Sequence, residues 1–276
     1  MKGNGIAEIK RTEVGIEECL ARAGKVFKRF DKQDSGCISY GLAVDDEKWF
    51  VKHASRPDAI HWMNNAVRVH TDIRHRCLPA LRNTFDTRDG FALVYDWVEG
   101  EVLGTPDYPG AEGRNHPQSP HYRFRQLPAE RIVAMLTDLY ELHVEVEAKG
   151  YVAVDLYDGS ILYDFYRHTT FFCDLDCYSK GAFRLGTDRN FGSSRFMAPE
   201  EFVKGSLIDH RTNVYTMGAA AFVFLADGVR AREAWKAPDE LFEVALRAVS
   251  ADRESRHPTL AAFYREWRLA LRPRFC

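Results

Sequence analysis

The spacing of apolar residues changes along the chain, and this change constrains the fold more than any other feature. Residues 36–54, GCISYGLAVDDEKWFVKHA, alternate around a central acidic turn, which predicts a β-hairpin. Residues 90–98 form an apolar run that predicts a buried strand. From Pro128, by contrast, PAERIVAMLTDLYELHVEVEAK repeats its apolar residues with the period of a helix, and Gly150 marks its end.

The remaining elements complete a mixed pattern. Two helices are predicted in the first third, at 16–29 and at about 58–74, and short strands are predicted within 151–176. The last third carries four more predicted helices, at 199–204, 212–226, 238–249 and 259–271. Strands dominate the first third and helices the last half, which predicts an α+β fold with two lobes.

One long segment fits neither pattern. Residues 104–126, GTPDYPGAEGRNHPQSPHYRFRQ, are rich in Pro, Gly, His and Arg and are longer than an ordinary connection. We interpret them as a solvated insertion. The alternative is a lid over a substrate, which would use the basic side chains Arg114, His116, His121, Arg123 and Arg125.

The composition argues against several classes of function. The 276 residues have a formal net charge of −2, so no basic field favours nucleic acid as a partner. The six cysteines include no C-x-x-C pair, which argues against a zinc site and is typical of a reducing, cytoplasmic setting. No signal segment is visible, and the longest apolar run, 214–226, is too short to cross a bilayer. No membrane partner is therefore expected.

Residues that could carry chemistry follow one another in a defined order. A single acidic turn is weak evidence, because Asp is common in turns. Here, however, Lys52 lies on a predicted strand, Asp155 follows the long helix in GYVAVDLYDGSILYDF (150–165), and Asp174 follows in TTFFCDLD (169–176). Ala-Pro-Glu at 198–200 and the late Arg256 complete the order.

This order resembles the eukaryotic-type protein kinase family over about residues 30–270. WFVKHA is similar to the family's third strand with its Lys, LVYDWVEG to its hinge, and FFCDLD occupies the place of its DFG segment. GSSRFMAPEEF resembles the end of the activation segment, and DHRTNVYTMG and SADRESRHPTL resemble two later motifs. The resemblance, to a divergent single kinase domain of bacterial style, implies a two-lobed protein kinase-like fold. Its N-terminal lobe, with a leading helix, would span 1–98 and its helical lobe, with the catalytic and activation segments, 99–276.

The resemblance also implies the ligands ATP and Mg²⁺ and the residues that hold them. Lys52 would hold the α- and β-phosphates, Asp155 would orient or deprotonate the acceptor hydroxyl, and Asp174 would bind Mg²⁺. Further metal ligands are expected at Ser160 and Asp176. The other nucleotide-binding candidates are Gly36, Asp96, Trp97 and Val98. The family pattern pairs the late Arg256 with the Glu of Ala-Pro-Glu.

The first departure from the family pattern concerns Lys52. The family places a Glu on the helix that follows this Lys, but the chain has no Glu between Glu47 and Glu99, and Ala66 stands at the expected position. Another side chain must then orient Lys52. The candidates are Asn65, His70 and Asp174.

Other departures surround the two acidic loops. Val154, Tyr157 and Ser160 replace the family's Arg, Lys and Asn. The lost Arg predicts activity that does not depend on phosphorylation of the activation segment, despite its hydroxyls at Thr187, Ser193 and Ser194. Asp158 or Asp176 could compensate for Ser160, and strand geometry would place Asp174 and Asp176 on one face. The last replacement, Asn213 for an Asp, predicts weaker support of the catalytic loop.

Three functions remain open from the sequence. The first choice is an ATP-dependent kinase that transfers the γ-phosphate to Ser or Thr of a protein, because of the Ala-Pro-Glu and late-Arg motifs. The second is a phosphotransferase acting on a small-molecule hydroxyl, such as an antibiotic or metabolite, which Tyr157, Asp176 and the 104–126 segment favour. The third is a pseudokinase that binds a nucleotide or a partner without turnover, which the missing Glu and Ser160 favour.

Overall fold

A computed structural model describes residues 5–32 and 35–271 of the chain. The protein is a mixed α+β structure, which confirms the predicted class. The chain divides between Glu99 and Gly100 into two compact units, each with its own internal packing. We describe each unit by itself.

The first unit contains an antiparallel sheet of five strands in the order β1-β2-β3-β5-β4. The strands are β1 (Lys25–Phe30), β2 (Cys37–Val44), β3 (Glu47–Ala54), β4 (Leu81–Thr87) and β5 (Gly90–Asp96). Strands β2 and β3 form the predicted hairpin, and Asp45 in its turn has a left-handed backbone with φ 51°. Asp tolerates this conformation because its short side chain bonds nearby backbone groups.

The helix predicted at 16–29 is only half correct. Helix α1 (Ile16–Ala23) ends before Gly24, and residues Lys25–Phe30 form strand β1 instead. A side chain at Gly24 would collide with the carbonyl oxygen of Ala43 on β2, so the chain passes too close to the sheet for another helical turn. Pairing with β2 thus outweighs the local helical pattern.

Two helices line the sheet of the first unit, and each has its own core. One cluster joins Ile16 and Leu20 of α1 to sheet residues such as Val51 and Phe85. A second cluster contains Met63 and Ala66 of α2 (Pro57–Asp72) together with the sheet residues Leu93 and Tyr95. Fully burying one such side chain contributes about 1.5–3 kcal/mol, so these clusters hold the sheet that carries Lys52.

Helices dominate the second unit. In chain order they are α3 (Gly110–Arg114), α4 (Pro120–Arg125), α5 (Ala129–Ala148), α6 (His210–Ala226), α7 (Asp239–Ala248) and α8 (Leu260–Ala270). Helix α6 is buried on all sides, in keeping with its apolar sequence. Tyr140 of α5 locks the bundle, since its hydroxyl donates to Met217 O at 3.1 Å and its ring contacts Phe263 and Trp267.

Short strands connect these helices and position the loops. They are β6 (Glu101–Val102), β7 (Tyr151–Val152), β8 (Ile161–Asp164), β9 (Thr169–Phe172), β10 (Ser179–Lys180), β11 (Phe183–Arg184) and β12 (Leu207–Ile208). They form three small sheets: β6-β8-β9, β7-β10 and β11-β12. The helix predicted at 199–204 is a short 3-10 helix over Pro199–Phe202.

The segment 104–126 is not simply a solvated insertion. Its second half forms α4, in which His121 and Phe124 are fully buried. The Phe124 ring packs against Tyr163 at 4.7 Å and against Phe224 of α6 at 5.4 Å between ring centres. This half can therefore serve neither as a solvated loop nor as a mobile lid, whereas residues 105–118 lie mostly at the surface.

The sequence predicted neither a membrane-spanning helix nor a zinc site built from cysteines. Within residues 5–32 and 35–271, no helix is both long and apolar enough to cross a membrane. Five of the six cysteines lie in this part of the chain and all five are free thiols, while Cys276 falls outside it.

Candidate functional site

Asp155 lies in a tightly held loop of the second unit, between β7 and a 3-10 helix over Asp158–Ser160. Its backbone is left-handed, with φ 64°. The buried Asn213 of α6 supports the strand end before it, because its side-chain oxygen accepts from Ala153 N at 2.8 Å and its amide donates to Tyr151 O at 3.2 Å. This amide therefore binds the loop backbone at two points, at the position where the sequence predicted weaker support.

Asp174 follows β9 and also has a left-handed backbone, with φ 62°. The prediction that Asp174 and Asp176 share one strand face is wrong, because β9 ends at Phe172 and the next residues turn. Asp174 is exposed, whereas Leu175 and Asp176 are buried. The two carboxylates therefore have different environments, and Asp174 is the one that solvent reaches.

Ser160 lies beside the Asp174 loop. Strands β8 and β9 pair Ile161 with Phe172, and Cys173 N donates to Ser160 O at 2.9 Å, so Ser160 is opposite the residue that precedes Asp174. The Ser160 side chain is 1% exposed, and its hydroxyl has no hydrogen-bond partner among the described residues. A buried hydroxyl without a partner is costly, which is the pattern expected where a ligand completes a site.

Asp155 and Asp174 both lie close enough to Tyr157 and Tyr178 for their charges to affect these tyrosines. Burial raises the pKa of Tyr157, and the negative charges of Asp174 and Asp155 raise it further. Burial likewise raises the pKa of Tyr178, with smaller contributions from Cys173 and from the same two carboxylates. The predicted residues Asp155, Ser160 and Asp174 thus come together in the second unit.

A buried network fixes Tyr178 in turn. Its hydroxyl lies 2.7 Å from Nε2 of His143, and Nδ1 of His143 lies 2.7 Å from the carbonyl oxygen of Leu139. A carbonyl only accepts, so Nδ1 carries a proton and donates it to Leu139 O, while Nε2 shares a hydrogen bond with the Tyr178 hydroxyl. Helix α5 thereby holds the residue next to β10.

Asp158 is paired, which argues against its predicted role as a substitute metal ligand. Arg195 donates to both of its carboxylate oxygens, at 2.8 and 2.7 Å, and His121 Nδ1 lies 2.9 Å from Oδ2. Burial opposes ionisation of Asp158, but the bond from His121 and the charge of Arg195 prevail and lower its pKa to about 2. The sequence reading missed this network, although Arg195 stands within GSSRFMAPEEF and His121 was noted as a basic residue.

The segment before Ala-Pro-Glu packs directly beside Asp155. A side-chain carbon built at Gly192 would lie 3.5 Å from the Asp155 Cα atom. Glu201 fastens the segment, since its carboxyl accepts from Asn190 Nδ2 at 3.0 Å and from Ala198 N at 2.8 Å. Burial raises the pKa of Glu201 to about 7.

The predicted pairing of Arg256 with Glu200 is confirmed. Arg256 donates to the two carboxylate oxygens of Glu200 at 2.7 and 2.9 Å, and both residues are buried. Burial alone would raise the pKa of Glu200, but the Arg256 contacts and the Thr212 hydroxyl leave it lowered. Arg253 adds a contact at 3.0 Å.

Lys52 belongs to the first unit. It lies on β3 between Ser39 and Leu93 of the neighbouring strands and is 8% exposed. Of the residues considered to orient it, His70 lies within reach of its charge, since burial and then the Lys52 ammonium lower the pKa of His70 to about 4. His70 is therefore neutral near pH 7 and cannot replace the anionic partner expected from a Glu.

The other nucleotide-binding candidates also lie in the first unit. Gly36 precedes β2 with φ 75°, and a side-chain carbon built there would lie 3.4 Å from the Arg56 guanidinium. The Asp96 carboxylate is held by Arg82 at 2.8 and 2.7 Å, and Trp97 N donates to Lys48 O. Within the described residues, the backbone N–H and C=O of Val98 make no hydrogen bond, so these groups can bind a ligand.

Comparisons with known proteins add no identification. No model of a known protein family matches the chain, and no curated protein sequence matches it. The assignment of function therefore rests on the residues themselves.

We expect the free energy of unfolding to fall as the pH falls from about 6.5 to about 4, in part through His70. Its imidazole titrates near 6.5 when unfolded and at about 4 when folded, so the unfolded state binds the extra proton first. The loss should reach about 3 kcal/mol at the acid end. Urea unfolding at pH 7 and pH 4 would measure it.

Other histidines require a matched comparison. Burial also lowers the pKa of His53, His121 and His257, so they contribute slopes of the same sign. His70→Gln should flatten the pH dependence, whereas His61→Gln, at an exposed position on the same helix, should leave it unchanged. Equal slopes in the two variants would show that His70 is not responsible.

Proposed function

We propose that the protein is a phosphotransferase that moves the γ-phosphate of ATP to a hydroxyl group, with Mg²⁺ as cofactor, and that its two units correspond to the lobes of a protein kinase-like fold. One observation carries this proposal. Asp155 and Asp174 both have a left-handed backbone conformation. The charges of both carboxylates raise the pKa of Tyr157 and of Tyr178. Such conformations persist where the surroundings enforce them and are frequent at functional sites.

The donor set supports Mg²⁺ rather than a metal held by protein alone. Among the described residues, no group of three or more His, Cys, Asp or Glu side chains is arranged to hold a metal. Mg²⁺ commonly uses one or two carboxylates, waters and substrate phosphates. Asp174 offers an exposed carboxylate, and Ser160 a hydroxyl that lacks a partner. When bound, Mg²⁺ would neutralise phosphate charge.

The protein residues have distinct roles in this proposal. Asp155 accepts the proton of the attacking hydroxyl, and Asn213 keeps its loop in place. Lys52 supplies positive charge for the α- and β-phosphates. The backbone of Val98 supplies a donor and an acceptor for the adenine edge.

A hydroxyl of a protein Ser or Thr remains our first choice of acceptor. Glu201 and the Glu200–Arg256 pair hold residues 190–201 rigidly beside Asp155. Phe191 and Val203 in this region are more than half exposed and could pack against an extended polypeptide. A small-molecule acceptor is less favoured, because the buried α4 cannot act as the lid that was the alternative interpretation of 104–126.

One observation favours the pseudokinase as second candidate. A side-chain carbon at Gly41 of β2 would lie 2.7 Å from the Phe27 ring and 3.0 Å from the Trp97 ring. These rings pack edge to face at 4.8 Å and occupy the space beside Gly41, next to the predicted hinge residue Trp97. Filling of this space would weaken nucleotide binding.

The decisive experiment combines the full chain with ATP and Mg²⁺ and follows ADP release and the mass of the protein. We expect Mg²⁺-dependent ADP release or a gain of one phosphate, both lost in Asp174→Asn. Asp176→Asn, at the buried neighbour, is the comparison. If the wild type binds ATP identically with and without Mg²⁺ and neither hydrolyses nor transfers it, the protein is a pseudokinase.

A further inference from the structure

A cluster of basic side chains surrounds Asp158, three residues after Asp155. The contacts begin with Arg195, whose guanidinium lies 2.7 Å from the Asp158 carboxylate. Arg125 lies 2.8 Å from Asp227, and Lys236 Nζ donates to Arg125 O at 3.0 Å. Together with Arg114, the cluster contains four basic side chains and two carboxylates. The carboxylates are those of Asp158 and Asp227.

Arg114 is a positive charge of this cluster that no carboxylate pairs with among the described residues. Among the described residues it has no ion pair, its Nε atom is buried without a partner, and its one hydrogen bond is a long one of 3.4 Å to Gly110 O. Burial lowers the pKa of Arg114, and the like charges of Arg195 and Arg125 act in the same direction, against the carboxylates. An arginine in such surroundings is stabilised by an added anion.

His121 cannot balance these charges. It is fully buried against Asp158 and the Phe224 ring, and burial lowers its pKa, so it is neutral near pH 7. The cluster therefore has two more positive than negative charges. It is reachable from solvent, because Arg195 and Asp227 retain 25% and 43% of their side-chain exposure.

We propose that Arg114, Arg125 and Arg195 form a subsite for an oxyanion, a carboxylate or phosphate group on the acceptor substrate. The position supports this assignment, because Asp158 and Asp155 share one loop and the segment carrying Arg195 packs beside Asp155 at Gly192. Guanidinium groups match the geometry of both oxyanions. The subsite selects acceptors with an acidic or phosphorylated group near the reactive hydroxyl. As a substrate subsite it rests on the proposed phosphotransferase function.

The first test needs no acceptor. Inorganic phosphate and, separately, acetate are titrated into the full chain at constant ionic strength with chloride, and the melting temperature is followed. Phosphate, acetate or both should raise the melting temperature of the wild type. The anion that does so identifies whether the subsite binds a phosphate or a carboxylate group. Arg114→Gln should weaken that response at least about tenfold. Arg268→Gln, an exposed arginine on α8, is the matched control and should retain it.

Two further results decide the outcome. Lys52→Met should retain the response, because Lys52 belongs to the first unit and is not part of the proposed subsite. In the presence of ATP, kcat/KM should be about tenfold higher for serine peptides flanked by Asp or phosphoserine than for serine peptides flanked by Ala. Arg114→Gln should remove that preference. An equal anion response in wild type and Arg114→Gln overturns the subsite. An Arg114-dependent response in a chain without phosphotransfer retains the anion site and rejects the proposed function.

Discussion

Replacing Asp155 by Asn should lower the rate of phosphotransfer by about 10²–10⁴-fold, the range for removal of a general base. The fold should remain, because Asn tolerates left-handed backbone as Asp does, whereas Ala would add strain at φ 64°. The Asn213 hydrogen bonds end at Ala153 and Tyr151 and do not involve the replaced carboxylate. Single-turnover phosphate transfer measures the chemical step directly.

The comparison needs a control variant that removes an exposed carboxylate without a proposed role in the reaction. Asp188→Asn removes an exposed carboxylate from the loop before Ala-Pro-Glu and should leave the rate within about twofold, since most surface substitutions have small effects. ATP affinity should be unchanged in both variants. A transfer rate in Asp155→Asn that equals the wild type would remove Asp155 from the reaction.

The sequence predicted the elements that local patterns determine. The β2–β3 hairpin follows from strict alternation around an acidic turn, and α5 from its helical period between Pro128 and Gly150. The Glu200–Arg256 pair was implied by the resemblance to the kinase family, although 56 residues separate its members. These signals are contained in short stretches of the chain or in a recognisable order of motifs.

Long-range packing determines the two elements that were not predicted from the sequence, strand β1 and the buried helix α4. Strand β1 exists because β2 pairs with it, and no local pattern distinguishes Lys25–Phe30 from a continued helix. Helix α4 is buried because Phe124 meets Tyr163 and Phe224, which are distant in sequence. A segment rich in Pro, Gly, His and Arg gave no indication of these contacts.

The candidate site shows the same division. The order of motifs singled out Asp155 and Asp174, but only the β8–β9 pairing places Ser160 opposite Cys173, since the sequence predicted no more than short strands there. The partners of Asp158 were not predicted, since Arg195 and His121 come from distant segments. The Asp174 and Asp176 side chains differ in burial because the chain turns after Phe172, and alternation holds only within a strand.

Replacing Arg256 by Met should destabilise the protein by about 3–5 kcal/mol, because it leaves the buried Glu200 carboxylate with less compensation. Arg256 is 1% exposed and makes two bonds to Glu200, and its guanidinium also donates to the backbone oxygens of Ser250 and Arg211. Urea unfolding measures the loss. Arg247→Met, at a half-exposed pair with Glu266, should cost less than about 1 kcal/mol.

A second variant separates lost charge pairing from lost packing. Adding Glu200→Gln to Arg256→Met removes the uncompensated charge, so the double variant should recover part of the lost stability. Arg253 and Thr212 also contact Glu200, which limits that recovery. If the double variant is as unstable as the two single losses added together, the Arg256 side chain acts through its backbone contacts and its packing on Tyr215 instead. Because Glu200 immediately precedes Glu201, loosening this pair should also reduce phosphotransfer by releasing the segment beside Asp155.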